Sequence, residues 1–172
     1  MTVQTEDTVH QRPAVLVTLA MLVGIVLLTG GLIGLYHLLG VGMPYFGFLF
    51  LLYWAAILKQ VPMDFLPTVL GGLAGILLGW VLIALPALAG PVGIAVAVVL
   101  LVTVLFCYVR GQGLVVINNA MMLFLTVATI SELNVAGNVK TMAVSFIIAA
   151  AYMGVITLAM HAVAKRVKRA AI

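Results

Sequence analysis

Few side chains in this 172-residue sequence can do chemistry, and most of them sit at the ends of long apolar stretches. Arg110 is followed by Gly111-Gln112-Gly113. A fixed positive charge on a glycine-flanked turn, with backbone N–H groups left free, can hold an anion; the plainer reading is a cytoplasmic anchor. Lys140 opens the last apolar stretch, where it either joins such a path or snorkels outward. Asn118 and Asn119 lie just inside a short apolar segment that continues through Thr126 and Thr129. Two adjacent carboxamides are costly against lipid, so at least one is expected to face protein, either lining a path or bonding to another helix. Tyr53 and Trp54 end an aromatic run that fits an interfacial belt or the wall of an aromatic solute path. Arg110, Asn118, Asn119, Thr126, Lys140, Tyr53 and Trp54 are therefore the candidate substrate path.

What is missing narrows the chemistry further. No carboxylate lies in the middle of an apolar stretch, and His37 and His161 lie near stretch ends. An intramembrane proton relay commonly needs such groups, so proton coupling is not expected. Asp64 stands where it can cap a helix. The sequence has no metal-spaced histidines, no Ser/His/Asp set and no phosphate loop, so neither an enzyme nor a cofactor or metal is expected. Cys107, the single cysteine, excludes an internal disulfide and reads as a small buried hydrophobe.

Composition dictates what positions these groups. Hydrophobic residues make up 66% of the chain and charged residues 7%, too few to cover the surface of a soluble domain. The net charge of +4 does not point to nucleic acid, because four of the eight basic residues fall in the last eight positions. The outer surface is thus expected to face a lipid bilayer. Charges and Pro/Gly turns divide the chain into six apolar spans: 14–38, 43–58, 64–86, 91–109, 114–131 and 136–163. Without polar/apolar alternation the spans are helices, giving an all-α polytopic membrane protein. Residues 1–13 form a cytoplasmic tail, 14–163 the membrane domain and 164–172 a basic cytoplasmic tail. Six spans place Arg12, Lys59, Arg110, Lys165, Arg166, Lys168 and Arg169 on one side and only Lys140 on the other. That bias places both termini in the cytoplasm of a bacterial inner membrane.

Spans two and five are the shortest, and each precedes a polar turn and a longer helix rich in small residues. With three spans per half, such a pattern describes two inverted repeats, with the short spans pointing to a transport site. The alternative is that these spans thin the bilayer or sit tilted. Gly71, Gly75 and Gly79, at four-residue spacing, form a helix-packing face, and Gly30 and Gly34 are read the same way.

The run Met43-Pro-Tyr-Phe-Gly-Phe-Leu-Phe-Leu-Leu-Tyr-Trp-Ala, the glycines from Gly71 to Gly79 and the junction Tyr108-Val-Arg110-Gly-Gln-Gly-Leu resemble the fusaric acid resistance/aromatic acid exporter superfamily. The six-helix module of the aluminium-activated malate channels is similar. The resemblance covers about residues 14 to 163. Exporters of this type carry two membrane modules and a cytoplasmic domain; this chain has one module, and it lacks the Arg that often follows the second span. The resemblance implies transport of a small organic solute, an organic anion or aromatic acid, through a homodimer or higher homo-oligomer, with a periplasmic adaptor as a partner in an export role. The alternative expectation is a non-transporting subunit or scaffold packed against a larger membrane complex.

Overall fold

The computed structural model describes residues 15–42, 44–58, 61–130 and 139–170. All regular structure among them is helical: α1 (Val15–Leu39), α2 (Tyr45–Leu52) running into a π-helical turn (Tyr53–Ile57), a 3₁₀ turn (Pro62–Asp64), α3 (Phe65–Val109), α4 (Asn119–Ala128) and α5 (Val139–Ala170). Three helical stretches, Val17–Leu39, Pro62–Val109 and Val139–Val163, are long and apolar enough to cross a membrane. They are apolar nearly all round, and much of that surface is exposed, as expected where lipid takes the place of water.

The 45-residue α3 is not one rod. Gly90 (φ 55°, ψ −132°) interrupts it, a backbone conformation that a side chain would oppose. Pro86 removes a helical N–H just before the break, and Pro91 sits just after it, where a missing N–H costs nothing. A Cβ on Gly93 would overlap the Leu85 carbonyl oxygen and come 2.6 Å from the carbonyl carbon. Residues eight apart in a straight helix would be separated by about 12 Å, so the chain folds back here. The two arms, α3a (65–89) and α3b (91–109), form an antiparallel hairpin. Leu100, Leu101 and Val104 join Ala74, Leu78 and Leu82 in one apolar cluster. The sequence boundary between spans three and four thus shrinks from a four-residue connection to a single glycine.

Contacts fix the direction of every segment. Tyr36 donates to the Ser145 carbonyl and Tyr152 to the Leu28 carbonyl, so α1 and α5 are antiparallel. Gly47 packs on Ala149 and Trp54 donates to Thr157, so α2 runs parallel to α5. Gly72 meets Phe146 and Gly154 meets Phe65, so α3a and α5 are antiparallel. Gly71, Gly75 and Gly79 meet Asn118, Met121 and Ala128 in turn, so α4 runs parallel to α3a. The six segments therefore alternate in direction along the chain. The core gathers Phe46, Phe50, Trp54, Phe124 and Phe146, with edge-to-face pairs Phe50–Phe146 (5.0 Å) and Phe124–Phe146 (4.7 Å) between ring centroids.

Several expected boundaries move. Span two ends in a π-helical turn at Tyr53–Ile57. Span five begins at Asn119, five residues later than expected, because Asn118 caps the helix instead of joining it. The last helix continues to Ala170, through most of the expected basic tail. A Cβ added to Gly30 or Gly34 would meet no atom within 4 Å; Gly31 is the glycine of α1 that meets α5, at the Tyr152 side chain. The pair expected in α1 thus packs on nothing within the chain, because a helix apolar all round gives no register signal. The N-terminal tail, Lys59, Gln60 and the turn from Glu132 to Asn138 lie outside the described residues.

Candidate functional site

A cleft of about 690 Å³ opens where the π-helical turn, the start of α3a, the end of α3b and the start of α4 converge. The hairpin makes this possible: it returns Tyr108 and Val109 to the level of Asp64, Pro67 and Thr68. Polar groups from all four elements reach the cleft: Tyr53, Asp64, Thr68, Tyr108, Asn118 and Asn119. Leu58, Pro67, Val109, Leu114 and Val115 supply apolar wall. This mixture of apolar wall and a few convergent polar groups suits a small organic ligand.

Asn118 organises the α4 side. Its Oδ1 accepts from the Met121 N–H at 3.1 Å, an N-cap, and its Nδ2 donates to the Pro67 carbonyl on α3a at 2.8 Å. Nδ2 also lies 3.3 Å from the Leu114 and Val115 carbonyls. The side chain fits because position 71 is glycine: a Cβ there would overlap Asn118 Oδ1. Next to it, the Tyr108 hydroxyl donates to Asn119 Oδ1, tying α3b to α4 across the cleft. Thr68 Oγ1 donates to the Asp64 carbonyl at 2.6 Å. Asp64 occupies the N-cap position of α3, but its side chain makes no cap bond, contrary to the sequence expectation. The carboxylate is exposed at the cleft. Tyr53 is only 7% exposed and lines the same cleft, and its hydroxyl has no hydrogen-bond partner among the described residues.

The expected path residues divide into three groups. Tyr53, Asn118 and Asn119 meet in the cleft. Arg110 sits at the same end but is not part of the lining; its guanidinium lies over the Phe106 ring, 5.7 Å from the centroid. Two of the three amides in the turn after it are committed to the helix, and only the Gly113 N–H is left without such a bond. Gly111 (φ 66°) donates to the Tyr108 carbonyl and Gln112 to the Cys107 carbonyl, at 3.0 and 2.9 Å. That is a Schellman closure of α3, and it uses both N–H groups on the helix. Cys107 itself is half-buried.

Trp54, Thr126 and Lys140 lie elsewhere. Trp54 is fully buried in the aromatic core, with Nε1 3.4 Å from Thr157 Oγ1, and belongs neither to an interfacial belt nor to the cleft. Thr126 is exposed on α4 and donates to the Met122 and Leu123 carbonyls of its own helix. Lys140 begins α5 on the far side of the bundle: Gly154, level with Phe65, follows it by 14 residues, roughly 21 Å along the helix. Sequence reasoning misses Thr68 and Asp64 as members of the site and meets Tyr108 only as part of a motif. Their convergence depends on how α4 docks along α3a once the chain has folded back at Gly90, and that docking is not encoded in local periodicity.

Among the described residues no group of three or more His, Cys, Asp or Glu side chains is placed to hold a metal ion. Comparison with protein-family models, with curated proteins and with solved structures gives no match.

Proposed function

We propose that this chain is a multi-pass membrane transport module that conducts a small organic solute as a homo-oligomer, with the cleft as its access site. The cleft carries the reading. It brings hydrogen-bonding groups from four elements to one end of a bundle whose long helices are apolar nearly all round, and polar groups at membrane depth are costly unless they serve a path or a bond. At the far end, the Tyr36 hydroxyl is sealed against Ser145 and only 3% of Tyr36 is exposed. A cleft open at one end, with Tyr36 held between α1 and α5 toward the other, suits a protein that admits solute from one side.

In this reading the six alternating segments cross the bilayer as two inverted three-helix units, α1–α2–α3a and α3b–α4–α5. Reciprocal packing supports it: short α2 runs parallel to α5, and short α4 runs parallel to α3a. Phe146 enters at Gly72 as Phe65 enters at Gly154. Both termini then lie in the cytoplasm, on the cleft side, with Arg110, Lys165 and Arg166. Cysteine-accessibility labelling should find Thr5 and Gln60 reactive only from the cytoplasm and Gly42 and Glu132 only from outside. Periplasmic labelling of Gln60 would overturn the topology.

Uptake of labelled small organic solutes into proteoliposomes tests the function. Asn119→Leu, which removes the acceptor for Tyr108 at the cleft, should cut flux about tenfold or more, whereas Arg110→Ala, outside the lining, should change it less than about twofold. Flux no higher than in protein-free vesicles across acids, amines and neutral solutes would overturn transport. A non-transporting subunit would then move ahead, favoured by one observation: residues 17–23 of α1 are exposed on every side, a surface that a neighbouring membrane subunit would cover.

A further inference from the structure

We propose that the cleft selects a small organic cation, an ammonium group carried on an apolar or aromatic body, rather than an anion. The inference deepens the transport reading and rests on the cleft being the solute's site. It follows from which hydrogens are already committed. The Tyr108 hydroxyl hydrogen goes to Asn119, the Thr68 hydroxyl hydrogen to the Asp64 carbonyl, and the Asn118 amide hydrogens to backbone carbonyls. What these groups have left for the cleft is lone pairs. Asp64 adds a carboxylate, with no ion pair to another described residue, and among the described residues it is the only charged side chain in the lining.

Tyr53 supplies the independent observation. The residue is more than nine-tenths buried, yet it lines the cleft and its hydroxyl has no partner among the described residues. Among the described residues no buried side-chain oxygen lacks a partner, so this hydroxyl opens onto the cleft, where water or a ligand bonds it. An ammonium group offers two or three donors to Asp64, Tyr53 and Tyr108 at once, and the tyrosine rings favour a cation electrostatically. A carboxylate would find the Tyr53 hydroxyl and the Asn119 amide as donors, but it would also face the Asp64 carboxylate and the lone pairs left on Thr68, Tyr108 and Asn118. Arg110, the residue that suggested an anion, points its guanidinium at Phe106. Leu58, Val109 and Leu114 accommodate the apolar body, and about 690 Å³ is room enough for a single ring and a short chain.

Equilibrium binding to the full chain in nanodiscs tests this, with three probes of nearly equal size: phenethylammonium, 2-phenylethanol and phenylacetate. Empty nanodiscs supply the correction for partition into lipid. At neutral pH phenethylammonium should bind about tenfold or more tighter than phenylacetate. Asp64→Asn should weaken the ammonium about tenfold and leave the alcohol within about twofold. The Asp64 side chain makes no cap bond in the fold, so this variant should fold. Tyr53→Phe, a second variant that only deletes the hydroxyl, should weaken the ammonium severalfold. Phenylacetate binding as tightly as phenethylammonium, or Asp64→Asn leaving ammonium affinity unchanged, would overturn the proposal. Selective ammonium binding without flux would sustain it and sink the transport reading; acid flux that is indifferent to Asp64 would do the reverse.

Discussion

Replacing Gly75 by leucine should cost about 3 kcal/mol or more and leave little folded protein. Gly75 is where α3a and α4 come closest. A Cβ there would overlap the Met121 carbonyl oxygen and lie 2.8 Å from the Leu125 backbone nitrogen. Both neighbours are backbone, so no rotamer change relieves the clash, and the whole of α4 must move. That movement separates Gly71 from Asn118 and Gly79 from Ala128 and opens the cluster of Leu78, Met121 and Leu125. In lipid no hydrophobic force pushes helices together, so lost close packing is not compensated by burial elsewhere. Gly34→Leu is the control: no atom lies within 4 Å of that position, and the change should stay within about 0.5 kcal/mol. Thermal unfolding in detergent, followed by the fraction running as a single species on size exclusion, measures both. A Gly75→Leu protein that melts with the parent would remove the seam from the account of this fold.

Asn118 should give the second largest effect, and in an order that propensity alone does not predict. Asn118→Ala removes the cap on Met121 and the donor to Pro67, for a loss of about 2 kcal/mol. Asn118→Asp keeps the capping oxygen and adds a charge that the start of a helix favours. It nevertheless turns the donor that faces the Pro67, Leu114 and Val115 carbonyls into a second acceptor. Repulsion should outweigh the better cap, so at neutral pH the aspartate variant should be the less stable of the two. Those carbonyls favour the protonated acid, so the folded state holds the introduced carboxyl above its unfolded pKa. The sign follows: the variant is most stable relative to alanine in acid and loses that advantage as pH rises through its folded pKa. Chemical denaturation at acidic and neutral pH checks the order, and an aspartate variant more stable than alanine at neutral pH would contradict it.

These two positions also mark how far the amino-acid sequence alone reaches. The seam at Gly71, Gly75 and Gly79 is legible because a four-residue spacing of glycine has one geometric meaning in a helix. The break between the arms of α3 is legible because Pro86, Gly90 and Pro91 are local signals. Asn118 stands out by its type, yet the apolar pattern draws it inside its helix, although a carboxamide directly before an apolar run is a start signal. The rest of the cleft is not legible. Pro67 and Asn118 are 51 residues apart and meet only through the hairpin and the glycine seam together. In α1 the obstacle has a different origin: with nearly every residue apolar, Gly30, Gly31 and Gly34 are equivalent in sequence, and only Gly31 touches a neighbour.

The shortness of α4 has an electrical meaning. Ten helical residues rise about 15 Å, roughly half the thickness of a bilayer's hydrocarbon core. α2 is eight residues long before its π-helical turn. Both short segments end at the cleft, one by its foot and one by its head, so in the proposed six-span topology an aqueous cleft there would reach into the membrane dielectric. The transmembrane potential, worth about 2.3 kcal/mol per unit charge per 100 mV across the full thickness, then falls over a thinner slab. Within that slab the field is about twice its usual strength. In the proposed topology Asp64 stands at the mouth of that cleft, and an ion moving from it past the foot of α4 would cross the strengthened field in one short step.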